Sequence, residues 1–432
     1  MIQYDDALSE FAAIVQELLG ADAVLDHLFL RDAAGRLTFV VLKPLAPEIL
    51  VQIRDNAAKL APWVHPDSAV AEPEDLFDDT LRDPEVGFFE RIDHLAFHGF
   101  VRVVERRIVG QDWLRSPLEP IPGAPPVVVF ASHKGGVGRS TALAVSAIAL
   151  SREGFNLLVI DLDLEAPGLG QMLLRELPTF GTLDFFVEAG VAEINDDFLD
   201  DMVMPSTFAG RGLLHVVPAA GAKANANPQN VLGKIARAYV EKIGSDGSVV
   251  SFLDQVRVLV DRLRQRYRYD AILIDARAGL NEATAGAFLG LGAEILLFGV
   301  DTPQTFVGYR YLLAHLARFR PEASGDNDWR YRLRMVQAKA QADPEAQEQF
   351  RDNAFELFSN TLYDSKEGID EEAFNFDYDD SRAPHYAWPI LNDANYAEFN
   401  PLAQAAHVAS HMYDRTFGAF IAALGEQIGL KP

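Results

Sequence analysis

A glycine-rich segment set between an apolar run and a helix-like stretch constrains the fold of this chain most. Residues 127–131 (VVVFA) are continuously apolar, which is typical of a strand buried on both faces. The segment HKGGVGRST follows at 133–141, and the helix-like ALAVSAIALSRE comes directly after it. A strand, a glycine-rich turn and a helix in this order place backbone N–H groups and a helix N-terminus around a phosphate. The segment therefore predicts a phosphate-binding loop.

The positions of this loop have separate expected roles. Its glycines let the backbone curl close to phosphates where a Cβ atom would clash, and the hydroxyl of Ser140 is expected to ligate Mg²⁺. Compared with the pattern GxxxxGKS/T, His133 replaces the first glycine and Arg139 replaces the lysine. Arginine keeps the charge but is bulkier than lysine, so slow turnover is expected. A glycine-rich turn without a ligand is the weaker alternative. The predicted nucleotide-binding residues are His133, Lys134, Gly135, Gly136, Val137, Gly138, Arg139, Ser140 and Thr141.

Beyond this loop, apolar runs alternate with helical patterns. Near-continuous apolar strands joined by helices favour parallel crossovers and burial of both sheet faces. The predicted fold is therefore α/β, a doubly wound and mostly parallel P-loop sheet. The predicted strands are 127–131, 156–160, 213–217, 271–274, 294–300 and 331–336, and the predicted helices are 140–152, 249–266 and 303–318, with a last helix at 403–427.

Acidic side chains follow two of these strands. Asp161 and Asp163 come after the run 156–160, one helix and one return strand beyond Ser140, and Asp275 ends the run 271–274. Asp161 and Asp163 are therefore expected at a strand end that faces the loop. An aspartate at a strand end can also cap a helix, and this alternative stays open for Asp161. For Arg277, a surface salt bridge and a phosphate contact are both open.

Three segments together resemble the ParA/MinD family of deviant Walker A ATPases. They are KGGVGR in the loop, DLDLEAPGLG at 161–170 and YDAILIDARAGL at 269–280, and the resemblance covers about residues 127–340. Lys134 matches the signature lysine of that family, while Arg139 departs from its loop and marks a KGGVGR variant.

The resemblance implies a set of roles and ligands. Lys134 would reach across a dimer interface to the nucleotide of the partner, and Asp163 would position the attacking water, so both are candidate catalytic residues. Ser140, Asp161 and Asp275 would manage the metal. The implied ligands are ATP or ADP with Mg²⁺, and the implied assembly is a homodimer with ATP at its interface.

The chain divides into four predicted regions. The proline-rich segment 116–126 (SPLEPIPGAPP) resists both helix and central strand, which is typical of a linker. The regions are an N-terminal α+β domain of unknown role at 1–115, the linker at 116–126, a P-loop domain at 127–360, and an acidic, aromatic segment with a final helix at 361–432 that packs on the P-loop domain. In the first domain, helices are predicted at 7–19 and 47–60, strands at 27–30, 37–42 and 100–110, and an exposed loop at 72–83.

Composition limits the partners and the compartment. The net charge of −25 repels nucleic acids and anionic lipids, so DNA binding is disfavoured, although the arginines at 257–268 keep it open. The chain has no cysteine, which excludes disulfides and thiolate metal sites. No run approaches the roughly 18 apolar residues of a membrane span, and the last helix lacks basic residues before Lys431. The expectation is a cytoplasmic protein without a membrane anchor.

The sequence therefore predicts an ATP-binding, slowly hydrolysing ATPase that dimerises around its nucleotide and regulates a protein partner through the N-terminal domain. Two alternatives stay open. One is a non-hydrolysing nucleotide-binding adaptor, with Arg139 marking lost turnover. The other is a DNA-associated partition or positioning ATPase. The sequence does not indicate which residues recognise the base.

Overall fold

The computed structural model describes residues 2–244, 247–321, 327–364 and 373–430. The chain forms two compact units, Met1–Leu114 and Arg115–Pro432. Residues 365–372 of the predicted C-terminal segment, and Lys431, lie outside the described residues.

The first unit is an α+β domain, as predicted, built on one five-stranded sheet. The sheet has the strand order β3-β2-β1-β5-β4. Its helices are α1 (Tyr4–Leu19), α2 (Ala21–Val24) and α3 (Pro47–Ala57), and its strands are β1 (Leu28–Arg31), β2 (Leu37–Val40), β3 (Val70–Ala71), β4 (Phe88–Asp93) and β5 (His98–Glu105). Helix α1 buries the face formed by Leu8, Phe11, Ala12 and Val15, whose spacing of three and four residues is that of an amphipathic helix.

The first unit contains three elements that were not predicted, α2, β3 and β4, and the strand predicted at 100–110 ends at Glu105. The residues of β4 alternate between partly buried and exposed, as expected at the edge of a sheet. The stretch 72–83 was predicted as an exposed loop, but it contains two short 3₁₀ helices, and Leu81 is fully buried. The acidic residues around them hid the packing of Leu81, of Leu76 beside it and of the buried Pro73.

The second unit is a doubly wound α/β domain, which confirms the predicted fold class. Its eight-stranded sheet has the order β15-β14-β13-β6-β12-β7-β9-β8, and every pair is parallel except β8 with β9. The strands are β6 (Val127–Ser132), β7 (Leu157–Asp161), β8 (Met204–Pro205), β9 (Leu214–Val217), β12 (Ala271–Asp275), β13 (Glu294–Gly299), β14 (Leu333–Ala340) and β15 (Trp388–Leu391), with a separate ribbon of β10 (Lys242–Ile243) and β11 (Val249–Val250).

Helices cover both faces of this sheet. They are α4 (Arg139–Glu153), α5 (Leu169–Leu173), α6 (Thr182–Glu188), α7 (Asp196–Asp200), α8 (Ala222–Ala226), α9 (Val231–Ala238), α10 (Phe252–Arg264), α11 (Glu282–Leu289), α12 (Pro303–Leu316), α13 (Pro344–Ser359) and α14 (Ser410–Gln427). Helix α14 packs on α4 and β15, and Phe420 of α14 lies against the rings of Phe130 and Phe298. None of the described helices has the length and apolar character needed to cross a membrane.

Three elements of this unit begin two or more residues later than predicted. The helix predicted at 249–266 begins at Phe252, because Ser251 caps it by accepting the N–H of Asp254, and 249–250 form a strand. The strand predicted at 331–336 begins at Leu333, after a 3₁₀ turn. The last helix begins at Ser410 rather than 403.

The proline-rich segment 116–126, predicted as a linker, belongs to the second unit and is hydrogen-bonded to the rest of it. The N–H of Leu118 donates to the carbonyl of Leu289 at 2.8 Å, and Arg332 donates to the carbonyl of Leu118 at 2.9 Å. A stretch rich in proline can therefore be ordered by contacts that its own composition does not signal.

Candidate functional site

The predicted loop lies at the carboxyl end of β6 and leads directly into α4. Gly136 and Gly138 have φ values of 77° and 94°, in the left-handed region that favours glycine. No atom lies within 4 Å of where a Cβ would stand on Gly135, Gly136 or Gly138. The loop therefore borders open space beside the N-terminus of a fifteen-residue helix, and this is the arrangement that binds phosphate groups elsewhere.

A cavity of about 470 Å³ opens on this loop. Its volume falls within the range of about 300–1,000 Å³ that holds small molecules and cofactors. One wall is the loop itself. Another part of the lining comes from Ala338 and Lys339 of β14, at the end of the range that the resemblance covers, and from residues 390–394 and Thr416 and Phe417 of α14, which lie beyond that range.

Arg139 is buried within a group of acidic side chains. Its side chain is 7% exposed. The guanidinium donates to Asp275 through Nε, to Asp163 Oδ2 through Nη2 at 3.0 Å, and to Ser132 Oγ through Nη1 at 3.3 Å. This residue was predicted to contact phosphate. In the structure its three guanidinium nitrogens are all engaged with side chains of the protein.

Asp161 is fully buried and its carboxylate is surrounded by backbone donors. It accepts the N–H of Asp163 at 3.0 Å and the N–H groups of Gly168 and Leu169 at 3.1 Å. Burial and the nearby charge of Asp275 raise the pKa of Asp161 to about 7, against the lowering effect of the three N–H groups. Because Leu169 begins α5, these contacts are those of the helix-cap alternative.

Asp275 faces Asp161 directly across the β12–β7 pair. Its side chain is 1% exposed, and it interacts with both Arg139 and the hydroxyl of Ser140. Burial raises the pKa of Asp275, and the charge of Arg139 opposes that rise. Asp163 lies at the cavity wall, where its Oδ1 accepts the N–H of Ala166 at 3.3 Å. The structure thus brings the three predicted carboxylates to one side of the loop.

The remaining loop residues differ in exposure. Lys134 is exposed, Val137 is 5% exposed and joins the hydrophobic core, and Thr141 lines the cavity. The ring of His133 packs against Gly308 of α12 so closely that a Cβ on Gly308 would stand 2.2 Å from the ring. The His133 Nδ1 atom is buried and has no hydrogen-bond partner among the described residues.

Arg277 forms the salt bridge that was one of its two alternatives. Its Nη1 lies 2.6 Å from Glu165 Oε1, and the hydroxyl of Tyr239 donates to the other oxygen of Glu165 at 3.0 Å. The three side chains join the loops that follow β7 and β12.

Lys339 is a site residue that the sequence reasoning missed. It lies near the end of β14, and its Nζ donates to the carbonyl oxygen of Gly136 at 2.8 Å. Lys339 also has a φ of 54°, which is rare outside glycine. The only sequence signal was its place just beyond a predicted strand, at the carboxyl edge where parallel sheets bind ligands.

The arginines near the end of α10 are largely paired with acids. Arg262 and Arg266 form ion pairs with Asp196, and Arg266 also pairs with Asp200. Arg264 pairs with Asp261 on the same helix. This pattern is that of a solvated, charge-balanced helix surface.

One family model matches part of the chain. Residues 128–284 match the family model described as the CobQ/CobB/MinD/ParA nucleotide binding domain. The ParA/MinD resemblance of the sequence is thereby confirmed at the level of this domain, while the roles of individual loop residues stay predictions. A comparison with curated proteins found no match.

A comparison with solved structures gave matches of low sequence identity. A ParA family ATPase from Chlorobium tepidum TLS has a TM-score of 0.42 and 16% identity, over 68% of this chain and 99% of that chain. The MinD cell division protein of Aquifex aeolicus has a TM-score of 0.43 and 15% identity, over 71% of this chain and 98% of that chain. A pNOB8 ParA bound to nonspecific DNA has a TM-score of 0.42 and 19% identity, over 71% of this chain and 97% of that chain.

Proposed function

We propose, from the match of residues 128–284 to the CobQ/CobB/MinD/ParA nucleotide binding domain, that this chain is an ATP-binding switch. It hydrolyses ATP slowly, dimerises around the nucleotide and regulates a protein partner through its N-terminal unit. Nucleotide binding couples to the partner because a dimer held together by nucleotide exposes different surfaces from the separate chains.

The observation that carries this proposal is the open glycine loop at the head of α4. Three glycines without neighbours at their Cβ positions leave room for a ligand to approach the backbone. The adjoining cavity of about 470 Å³ has the size for a nucleotide. A helix N-terminus favours negative charge, so the phosphate end of the nucleotide belongs at the loop.

The oxygen donors beside the loop fit Mg²⁺. Among the described residues, no group of three or more His, Cys, Asp or Glu side chains is arranged to hold a metal by itself. Mg²⁺ does not require such a group, because it is usually held by one or two carboxylates together with substrate phosphates. Ser140 and Asp275, which interact with each other, are the proposed metal-side residues. When bound, Mg²⁺ neutralises charge on the phosphates.

The other acidic residues have distinct proposed roles. Asp161 was expected to join the metal shell. Its carboxylate accepts three backbone N–H groups, so we assign it the positioning of the turn that carries Asp163. Asp163, at the cavity wall, orients the attacking water by accepting a hydrogen bond from it. Arg139 compensates the charge of Asp163 and Asp275 inside the protein.

Lys134 is proposed to act on the nucleotide of a second copy of the chain. Its exposure leaves the side chain accessible to a partner, and a lysine brought to the phosphates neutralises charge that develops during transfer. Lys134→Ala should therefore abolish the hydrolysis that depends on dimerisation while it leaves nucleotide binding intact.

Phosphate release and mass in solution test this assignment together. The wild type should double its mass with a non-hydrolysable ATP analogue but not with ADP, and its phosphate release should rise faster than linearly with protein concentration. Lys223→Ala, at an exposed lysine on α8, is the matched control and should behave as the wild type. Unchanged turnover in Lys134→Ala would remove Lys134 from the mechanism.

A specific contact favours the non-hydrolysing alternative. Asp163, the proposed water-positioning residue, already pairs with Arg139 through Oδ2 at 3.0 Å, and its Oδ1 accepts the N–H of Ala166 at 3.3 Å, so both of its oxygens are engaged. Arg139→Lys restores the usual loop lysine and should release Asp163, because the single nitrogen of a lysine cannot span the two carboxylates as the separate Nε and Nη2 atoms of the guanidinium do. Phosphate release should then rise about tenfold or more, at the low end of what a positioned general base contributes. Turnover that stays absent in both proteins, with ATP binding retained, would favour the adaptor.

The DNA-associated alternative gains no comparable support. The arginines that kept it open are largely paired with aspartates on the surface of the same unit, and the net charge is −25. An ATP-dependent gel shift at modest salt would restore it.

A further inference from the structure

We propose that Lys339 binds the phosphates of the nucleotide and supplies the positive charge that the loop does not offer within its own chain. This inference rests on the proposed function, since it requires a nucleotide at the loop. It adds a residue from β14 to a site otherwise built from β6, β7, β12 and α4.

The basic side chains at the cavity support a phosphate contact by Lys339. Of the described residues that line it, two are basic, Arg139 and Lys339. The guanidinium of Arg139 is engaged by Asp163, Asp275 and Ser132. A triphosphate brings several negative charges into the cavity, so an uncommitted cation has a large electrostatic advantage there. Lys339 is the side chain in position to provide it.

The backbone conformation of Lys339 directs its side chain toward the loop. The residue adopts a left-handed φ of 54°, and the β14–β15 pairing shifts register between Gln337 and Ala340. The other residues of β14 are buried, and Lys339 is exposed. Left-handed backbone at a non-glycine residue is strained, and such strain concentrates at functional sites. Here the irregularity turns one long cationic side chain out of a buried strand and toward the loop.

In the structure, Lys339 contacts a backbone carbonyl of the loop. Its Nζ donates to the carbonyl oxygen of Gly136 at 2.8 Å. An ammonium group has three N–H donors, and a neutral carbonyl is a weaker acceptor for it than an ionised oxygen. The contact with Gly136 therefore holds the amine at the rim of the loop, from where it can turn to a phosphate at little cost.

The affinity of a series of nucleotides measures this contact. Calorimetry at fixed ionic strength, with ATP, ADP, AMP and adenosine as probes, compares the wild type with Lys339→Gln and Lys339→Arg. Loss of a charged hydrogen bond should weaken ATP binding about 10- to 100-fold in Lys339→Gln. Adenosine, which has no phosphate, should bind to that variant as it does to the wild type. Lys339→Arg should retain most of the affinity for ATP.

A second variant separates the charge from the backbone. Lys339→Gly keeps the left-handed conformation without strain and removes the amine, so it should lose ATP affinity as Lys339→Gln does. Lys223→Gln, at the exposed lysine on α8, is the matched control for a general loss of positive charge. Its affinity for ATP should equal that of the wild type.

The outcomes are distinct. A wild type that binds none of the probes overturns the proposed function and this inference with it. A wild type that binds ATP, with equal affinity in Lys339→Gln, overturns the role of Lys339 alone. An equal loss for ATP and adenosine would mean that Lys339 only shapes the cavity, and this also overturns its role at the phosphates.

Discussion

The two sides of the phosphate loop carry charge in opposite ways. The floor, formed by Arg139, Asp161, Asp163 and Asp275, is 8% exposed or less at every position, and its charges are compensated by one another or by backbone N–H groups. The rim, formed by Lys134 and Lys339, is exposed. Breaking a buried ion pair costs several kcal/mol, about 3–5, whereas an exposed ion pair contributes about 1 kcal/mol or less. The floor therefore fixes the shape of the loop, and the rim is where a nucleotide or a second chain can change contacts.

Removal of the floor cation should have the largest effect. Arg139→Ala leaves Asp163 and Asp275 buried without their partner, and loss of one member of such a group costs about 3–5 kcal/mol. The free energy of unfolding, measured with urea on protein without nucleotide, should fall by about this amount. Arg257→Ala, at an exposed arginine of α10, is the control and should change it by less than about 0.5 kcal/mol.

A double variant checks the cause of that loss. When Asp163→Asn is added to Arg139→Ala, one of the two uncompensated carboxylates is removed. The double variant should therefore have a higher free energy of unfolding than Arg139→Ala alone. A loss in Arg139→Ala as small as in Arg257→Ala would contradict the distinction between floor and rim.

The floor should also make stability depend on pH. The pKa of Asp161 is raised from 3.8 to about 7, first by burial and then by Asp275. Between these values the folded chain holds a proton that the unfolded chain releases, so the contribution of Asp161 to stability falls as pH rises from about 4 to about 7. The slope is at most about 1.4 kcal/mol per pH unit for one proton. Urea unfolding at several pH values should show a smaller slope in Asp161→Asn than in the wild type, and equal slopes would contradict the assignment.

The contact between His133 and α12 should have an intermediate effect. A Cβ on Gly308 would stand 2.2 Å from the ring of His133, and overpacking of this kind costs about 1–3 kcal/mol. Gly308→Ala should lower the free energy of unfolding accordingly, and the addition of His133→Gly should relieve the clash. Gly418→Ala on α14 is the matched control, because the nearest atom to its Cβ lies at 3.9 Å; it should not destabilise. Additive losses in the double variant would show that the two residues are not coupled.

The sequence predicted the features of this site that depend on neighbouring residues. Strand β6, the loop and α4 were found because an apolar run, three glycines and a helical pattern follow one another. Asp161, Asp163 and Asp275 were placed after predicted strands, and their shared site beside the loop was implied by the ParA/MinD resemblance. The two strand-end residues Asp161 and Asp275 are indeed register partners.

The partners within the floor and the far wall of the cavity were not predictable in this way. The ion pair of Arg139 with Asp275 joins residues 136 positions apart, so it depends on β12 lying beside β6. Strand β15 has four residues and a proline at 389, which hid it because proline argues against a central strand. Lys339 was not predicted as a site residue, because a left-handed backbone is expected from sequence mainly at glycine and this residue is a lysine.

Loss of Lys339, one of the two rim lysines, should have the smallest effect on the free energy of unfolding of the protein without nucleotide. Lys339→Gly relieves the left-handed backbone but gives the unfolded chain more freedom, and the two effects, each about 1 kcal/mol, oppose each other. The free energy of unfolding should therefore change by about 1 kcal/mol or less, although the contact with Gly136 is lost. Urea unfolding beside Arg139→Ala makes the comparison direct. If the two variants were equally unstable, Lys339 would be part of the framework of the loop, and the rim could not be the side that responds to the nucleotide.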